Sequence, residues 1–417
     1  MYRPYQMTAI SSAIMALDNP TPRPAVLVLA TGAGKSHIIA GICKQLDEPT
    51  LILQPSKELL EQNHQKLLLN GITDIGIYSA SMGSKDIGKY TMATIGSIVN
   101  CPELFRHIKY VLIDECDLVN PKDTQTMYAK FLKSIRCRRV IGLTATPYRH
   151  VQKFHFKDGK KVYTGTLKMI NRIGYPSFWG NIILKVEASF LIQQKYLAPI
   201  EYHVGLLPAN NLKLNSTGND YTKDSLKKWG DDKPTKIAKL INSLMDKHQR
   251  ILVFAATTSQ SQKIKVQLEH IGVDADIVSA ETLYKERAAI VAGFKQGDRR
   301  ILINVGVFIA GLDVPELDCI VYARPTLSLR VWYQSVGRGM RIDPNNPAKV
   351  LHVYDLVAAT HKLGRVETIK IIKEDDGFRD AVEAEGKRMD ERPLFDFTIE
   401  PVEPKKPKKK TFGNIKK

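Results

Sequence analysis

The stretch AVLVLATGAGKSHIIAGI, Ala25–Ile42, decides how the rest of the chain is read. Six small or apolar residues form a run of the kind buried in a parallel sheet, and the run stops at Thr31-Gly32-Ala33-Gly34. Lys35 and Ser36 then open a stretch with helical spacing. A plain turn needs one glycine at most and gains nothing from a lysine at the mouth of a buried element. A phosphate-binding loop accounts for every residue of it. A helix N-terminus offers unpaired N–H groups and the positive end of its dipole to an anion. Glycines at 32 and 34 admit φ > 0 and let the backbone approach closely, with Thr31 and Ala33 before and between them. Lys35 can then reach the β- and γ-phosphates of a bound nucleotide, and the Ser36 hydroxyl can ligate Mg2+. One departure stands out: Leu29 occupies the place where the common G-x-x-x-x-G-K-[ST] pattern has its first glycine.

Working outward, strand-like runs alternate with helical ones from Ala25 to about Ala145: AVLVLA, TLILQP (50–55), TMAT (91–94), YVLIDE (110–115) and RVIGLTA (139–145). That alternation predicts an α/β unit with a doubly wound parallel sheet, whose ligands bind beyond the carboxyl ends of the strands. It breaks over 150–200, a segment rich in aromatics and lysines without a clear period. A second alternation follows in RILVFAA (250–256), ADIVSA (275–280), RRILINV (299–305), DCIVYARP (318–325) and VLHVYDLV (350–357). The expected organisation is a nucleotide-binding domain over 1–149, an insertion over 150–200, a second α/β domain over 201–365 and a charged, disordered extension over 366–417.

Length and composition fit this plan. The chain has 417 residues, with 43% apolar and 25% charged, ordinary for a globular protein with well-buried cores. No apolar run reaches the ~18–20 residues that span a bilayer, and the first residues, MYRPYQ, carry no apolar signal region. Five cysteines without a C-x-x-C pair argue against zinc modules and disulfide frameworks and for thiols in a reducing cytoplasm. Net charge is +18; the seven lysines of PKKPKKKTFGNIKK (404–417) account for part of it and leave +11 on the rest. Such an excess favours a polyanionic partner.

YVLIDECDLV places Asp114 and Glu115 at the end of a buried strand, where carboxylates are costly unless paired or metal-bound. With a phosphate loop nearby, Asp114 suits the Mg2+ shell and Glu115 the polarisation of attacking water. QSVGRGMR (334–341) supplies Arg338 and Arg341, three apart and so expected on one helix face, where guanidinium groups could meet charge developing on a γ-phosphoryl.

The ordered set resembles a superfamily 2 helicase or translocase with two RecA-like domains. YRPYQ (2–6) resembles the adenine-recognition segment, with Gln6 at the base; LATGAGKS (29–36) resembles motif I, LQPSKELLEQ (53–62) motif Ia, ATIGSI (93–98) motif Ib, DECD (114–117) motif II and TATPYR (144–149) motif III. ILVFAATTSQS (251–261), NVGVFIAGLDVP (304–315) and QSVGRGMR resemble motifs IV, V and VI. Within the superfamily, FKQGDRRILINVGV (294–307) and ARPTLSLRVWYQSVGRGMR (323–341) are most similar to the RadD-like, UvsW-like and restriction-translocase group. Asp117 stands where that group usually has His, so coupling to Gln334 is expected to differ; Ala310 replaces a common acidic residue, and a lysine tail replaces the Cys-rich C-terminal module of RadD-like proteins.

The resemblance implies a motor with ATP and Mg2+ between two domains. Lys35, Ser36, Asp114 and Glu115 would lie on one side, with Gln334, Arg338 and Arg341 on the other and Gly311 and Asp313 toward the ribose. Nucleic acid, DNA rather than RNA, would cross Pro55, Lys57, Thr94, Gly96, Ser97, Thr257 and Asn304, while Asp117, Thr144 and Thr146 relay between the two sites. The insertion, with Phe178, Trp179 and several lysines, is a candidate for a strand-separating wedge, or equally for a helical hairpin packed on the first domain. Phosphate contacts carry no base preference, so an RNA helicase or an ATP-dependent clamp stays open as an alternative. A P-loop switch or kinase explains neither the second sheet nor QSVGRGMR. A cytoplasmic site in a bacterial or phage-infected cell is expected, or a nuclear one if the lysine tail is a localisation signal.

Overall fold

The computed structural model describes residues 2–389 apart from 120–125, 158–159, 174–176, 206, 208, 210–211, 216–218, 307–311 and 375–378, with backbone alone over 152–157 and 160–165. The Ala25–Leu29 run is a strand buried along its whole length. It lies inside a sheet whose spatial order is Ile182–Val186, Ala25–Leu29, Val140–Thr144, Tyr110–Asp114, Thr50–Gln54, Tyr90–Thr94, Ile75–Ser79 and Ser84–Lys85. All pairs are parallel except the last. Full burial of the central strands needs cover on both faces, which explains why they read as unbroken apolar runs rather than as alternations. The second sheet is entirely parallel, in the order Ile200–Val204, Leu351–Asp355, Cys319–Ala323, Ile251–Ala255, Ile301–Val305 and Asp276–Ser279.

Helix starts are fixed by side chains that satisfy otherwise unpaired N–H groups. Ser56 accepts from Leu59 N at 3.3 Å, Thr257 from Gln260 N at 3.1 Å and Ser328 from Val331 N at 3.3 Å. Each cap follows a strand of a sheet, so strand ends and helix starts gather on one side of each lobe.

The 150–200 segment is organised differently from the expected insertion. Tyr148–Lys157 and Lys160–Met169 form an antiparallel hairpin. Ile182–Val186 then pairs in parallel with Ala25–Leu29 as an edge strand of the first sheet. Trp179 is fully buried against Gly142, where an added Cβ would lie 2.6 Å from the indole. Phe178 packs edge-on to it at 4.9 Å. A tryptophan held in the core cannot part strands, so this pair is not a wedge.

Residues after 366 also depart from the expected disorder. Lys370–Lys373, Asp380–Ala384 and Lys387–Arg388 form a small antiparallel sheet. It docks back on the first lobe: Lys185 Nζ donates to Ile371 O at 3.0 Å and pairs with buried Asp380 at 3.0 Å. Asn171 Nδ2 donates to Asp380 at 3.1 Å, and Arg172 pairs with Glu374 at 2.6 Å. The lysine tail, 404–417, lies outside the described residues.

Candidate nucleotide site between two lobes

The loop after Leu29 turns through Gly32 and Gly34, both with positive φ (87° and 82°), and Gly34 caps the helix Lys35–Leu46. A side chain at Gly34 would meet Gln6 Nε2 at 2.7 Å, so the close approach is made to the protein as well as to a ligand. Gln6 Nε2 and the Tyr5 hydroxyl both donate to Ala33 O, at 3.2 and 2.9 Å, while Gln6 Oε1 accepts from Arg3 N at 2.9 Å. The first helix, Pro4–Leu17, thereby holds the loop from behind.

Lys35 reaches across to the strand Tyr110–Asp114. Its ammonium contacts Glu115 and lies 3.9 Å from Asp114. Burial alone would lower the lysine pKa, but these two carboxylates outweigh it and raise the pKa. Burial pushes the Asp114 carboxyl up; in Glu115 the same effect is overcome by Lys35, with help from Arg330 and Arg338, and the pKa falls below the usual carboxylate range. Glu115 adopts φ 48°. A non-glycine residue held in the left-handed region costs of order 1–3 kcal/mol and is kept where its side chain must be aimed.

The Ser36 hydroxyl donates to Asn63 Oδ1, and Asn63 Nδ2 donates to Asp114 Oδ2 at 3.0 Å. Ser36 and Asp114 thus converge on one side chain and form a hard oxygen donor pair suited to Mg2+. Asn63 was not anticipated from the sequence. The signal was there: Leu60, Asn63 and Leu67 share the buried face of one helix, and a polar residue on such a face needs partners.

From the second lobe, Gln334 Nε2 donates to Glu115 Oε2 at 3.3 Å. Arg338 is half-buried; desolvation lowers its pKa and Glu115 opposes this. The two arginines do not share a helix face. The helix ends at Gly337, and Arg341 lies beyond it in a bridge with Leu197; Gly337 packs on Thr31 and Gly339 on Leu351, where an added Cβ would lie 2.6 and 2.4 Å from them. Arg338 instead lines a cavity of about 450 Å³ with Glu115, Gln334 and Pro55. Arg341 faces the other way, onto Asp313, in a cavity of about 690 Å³ lined also by Gln6, Gly32, Gly34 and Ser36. Lys66 approaches Asp313 at 3.9 Å. Gly311 and Ala310 lie outside the described residues.

Asp117 makes the second cross-lobe contact. Thr144 Oγ1 donates to Asp117 Oδ1 at 2.7 Å, Thr146 N donates to Thr144 Oγ1 at 3.0 Å, and Arg330 Nε pairs with Asp117 Oδ2 at 2.6 Å. Burial, only partly offset by Arg330, pushes the Asp117 carboxyl up to about 6. Gln334 is therefore coupled to Glu115, and Asp117 to Arg330, one helical turn earlier. Arg330 carried no signal in the sequence, since a lone arginine on a helix is ordinarily solvated.

Of the expected nucleic-acid residues, Thr94 and Ser97 share a hydroxyl hydrogen bond of 2.9 Å, and Ser97 Oγ accepts from Ala80 N at 2.9 Å. Space beside Gly96 is open. Lys57 lies 3.9 Å from the centre of the Tyr284 ring of the second lobe and 3.7 Å from Glu61, so it faces the cleft. Asn304 is 2% exposed inside the Ile301–Val305 strand and cannot present its side chain at a surface.

The family model described as "Type III restriction enzyme, res subunit" matches residues 1–149, and "Helicase conserved C-terminal domain" matches 232–343. A Saccharomyces cerevisiae protein given the name of an ATP-dependent helicase, IRC3, is 25% identical over 90% of this chain and 54% of its own length. The DNA 3'-5' translocase XPB2 of Sulfurisphaera tokodaii is 24% identical over 82% of this chain and 80% of its own. Among solved structures, the ATP-dependent Type ISP restriction-modification enzyme LlaBIII bound to DNA superposes with a TM-score of 0.61 at 17% identity, over 85% of this chain and 27% of that one. The chain thus spans about half the length of the yeast relative. Among the described residues no helix is long and apolar enough to cross a membrane.

Proposed function

The chain belongs to the superfamily 2 helicases and translocases, on the side of the restriction-enzyme motors, and from that premise we propose that it is an ATP-driven motor acting on DNA. One observation carries this reading: Glu115 is held by Lys35 from the first lobe and by Gln334 from the second, with Arg338 beside it. Hydrolytic groups from both lobes meet only where the lobes meet, so hydrolysis is tied to their relative movement.

In this reading Lys35 exchanges its carboxylate partners for phosphoryl oxygens, and Glu115 orients the attacking water. Ser36 and Asp114 would hold Mg2+, which when bound neutralises charge on the β- and γ-phosphates. Gln6 stays behind the loop with its amide committed to Ala33, in reach of a base through the shared cavity. Arg341 and Asp313 close the ribose side. Thr94, Gly96, Ser97 and Thr257, at strand ends of the two lobes, would position phosphates without reading bases. The name of the DNA translocase supports DNA. Steady-state ATPase with single-stranded, duplex and branched DNA and with RNA tests this: stimulation by DNA well above RNA is expected, and stimulation by RNA alone overturns the substrate assignment.

The Asp117–Arg330 pair couples the lobes. With its carboxyl already pushed up to about 6, Asp117 can take up a proton when Arg330 is removed, which holds the cost to the closed arrangement to the lower end of the range for a broken buried pair, about 3 kcal/mol. Arg330→Ala should therefore lower nucleic-acid-stimulated kcat by roughly 100-fold or more with little change in nucleotide affinity. Asp117→Asn combined with Arg330→Ala should lose less than the sum of the two single losses, as non-additivity in a double-mutant cycle. Fully additive losses would show that the two residues act separately.

A further inference from the structure

The edge of the second sheet, away from the nucleotide cleft, carries a cluster that hydrolysis does not use. Glu201 and His203 lie on the edge strand Ile200–Val204; His352 and Tyr354 lie on its neighbour, Leu351–Asp355. The parallel register sets Glu201 beside His352 and His203 beside Tyr354, and the two-residue period puts all four on one face. The His203 ring stacks on Tyr354 at 4.4 Å between centroids with 14° between planes. That stacking fixes the ring orientation and leaves Nε2 aimed at His352.

His203 Nε2 and His352 Nδ1 share a hydrogen bond of 3.1 Å. Glu201 Oε1 lies 3.4 Å from His203 Nε2, and its Oε2 lies 3.8 Å from His352 Nδ1. Zinc bonds to imidazole and carboxylate are about 2.0–2.2 Å, so the ligand atoms of a tetrahedral site stand about 3.3–3.5 Å apart. The 3.1 Å between the two imidazole nitrogens and the 3.4 Å from Glu201 Oε1 to His203 Nε2 are close to two edges of that tetrahedron, and the other carboxylate oxygen, Oε2, lies 3.8 Å from His352 Nδ1.

We propose that Glu201, His203 and His352 bind a divalent first-row transition metal, Zn2+ foremost, with the fourth position open to water. Two imidazoles and one carboxylate form a donor set that suits zinc and is poor for the oxygen-seeking Mg2+ of the nucleotide site. Asp318 and Tyr354 face the cluster from the flank: His248 Nδ1 lies 3.4 Å from Asp318, and its Nε2 lies 3.4 Å from the Tyr354 hydroxyl. On coordination each ligating ring carries its hydrogen on the other nitrogen, so neutral rings release no proton, whereas rings protonated at low pH must lose theirs. The metal would fasten the edge strand at the point where the chain enters the second lobe. This inference is independent of the motor assignment.

The test uses the full chain, stripped with a chelator and titrated in the absence of nucleotide with Zn2+ against a chromophoric chelator, and with Co2+ by its visible d–d spectrum. One equivalent of tightly bound metal is expected, with the intense bands of a four- or five-coordinate Co2+ site and a raised melting temperature. His203→Ala and His352→Ala should each weaken binding by more than about 100-fold, beyond the range for loss of an outer-shell partner. Glu201→Gln, at an exposed position that leaves the fold intact, should weaken it less. Far-UV circular dichroism and nucleotide binding check that each variant is folded. No stoichiometric binding, or binding unchanged in both folded histidine variants, overturns the proposal.

Discussion

Lys35→Ala should abolish ATP hydrolysis and weaken nucleotide binding, whereas Glu115→Gln should keep ATP bound and unhydrolysed. The difference follows from the charges at the loop. Lys35 faces two carboxylates, and without it Glu115 and Asp114 repel a triphosphate that has also lost its main cation. A hydrogen bond to a charged group contributes about 1.5–3 kcal/mol, so affinity should fall by roughly 10–100-fold, before the repulsion is counted. Glu115→Gln preserves shape, keeps a partner for Gln334 and removes one negative charge, so binding should hold or tighten. Loss of a positioned base lowers the rate by about 10²–10⁴. A fluorescent ATP analogue separates the two variants; equal loss of binding in both would contradict these roles. Without nucleotide, Lys35 outweighs burial at Glu115 and holds that carboxyl below the usual carboxylate range.

Arg338→Ala is expected to lower kcat by about 10³ or more with nucleotide affinity little changed, the lower end of the range for an arginine that completes a phosphoryl-transfer site from a neighbouring domain. Its guanidinium lies in the cavity that holds Glu115 and Gln334, so it acts where charge develops and not where the base is bound. Arg341→Ala should differ in kind. Its partner Asp313 would be left as a bare carboxylate in the nucleotide cavity, with Lys66 at 3.9 Å as a weaker counter-charge. A raised nucleotide KM should therefore accompany its lower kcat. Wild-type kcat in either variant under saturating DNA would mark that arginine as a bystander.

Much of this was legible in the sequence, for identifiable reasons. Ala25–Leu29, Tyr110–Asp114 and Ile251–Ala255 are buried on both faces, and a short unbroken apolar run bounded by turn residues suits a strand covered on both sides. The edge strands Ile182–Val186 and Ile200–Val204 are half-buried and interrupted by Lys185, Glu201 and His203, so neither reads as a strand. The phosphate loop was visible because its glycines answer a local backbone demand. Asn63 and Arg330 answer distant partners, and only the fold places them. The shared helix face for Arg338 and Arg341 fails for a related reason: the helix ends at Gly337, and Arg341 is held by a bridge to Leu197, a partner distant in sequence. An aperiodic aromatic segment fits either a wedge or packing on the first domain, and Trp179 packs, since large apolar side chains are cheapest where they are buried.

The return of the last small sheet to the first lobe makes the chain a closed circuit: it leaves one lobe, builds the other and comes back to fasten itself at Arg172 and Lys185. A nick in the crossing near 195–199 would then leave the halves held together, because both remain tied through the clasp. Effective concentration across such a tether replaces diffusion, so the lobes re-engage without a second-order search. Their opening is an excursion on a leash, and each return restores the same register of Arg330 on Asp117 and Gln334 on Glu115.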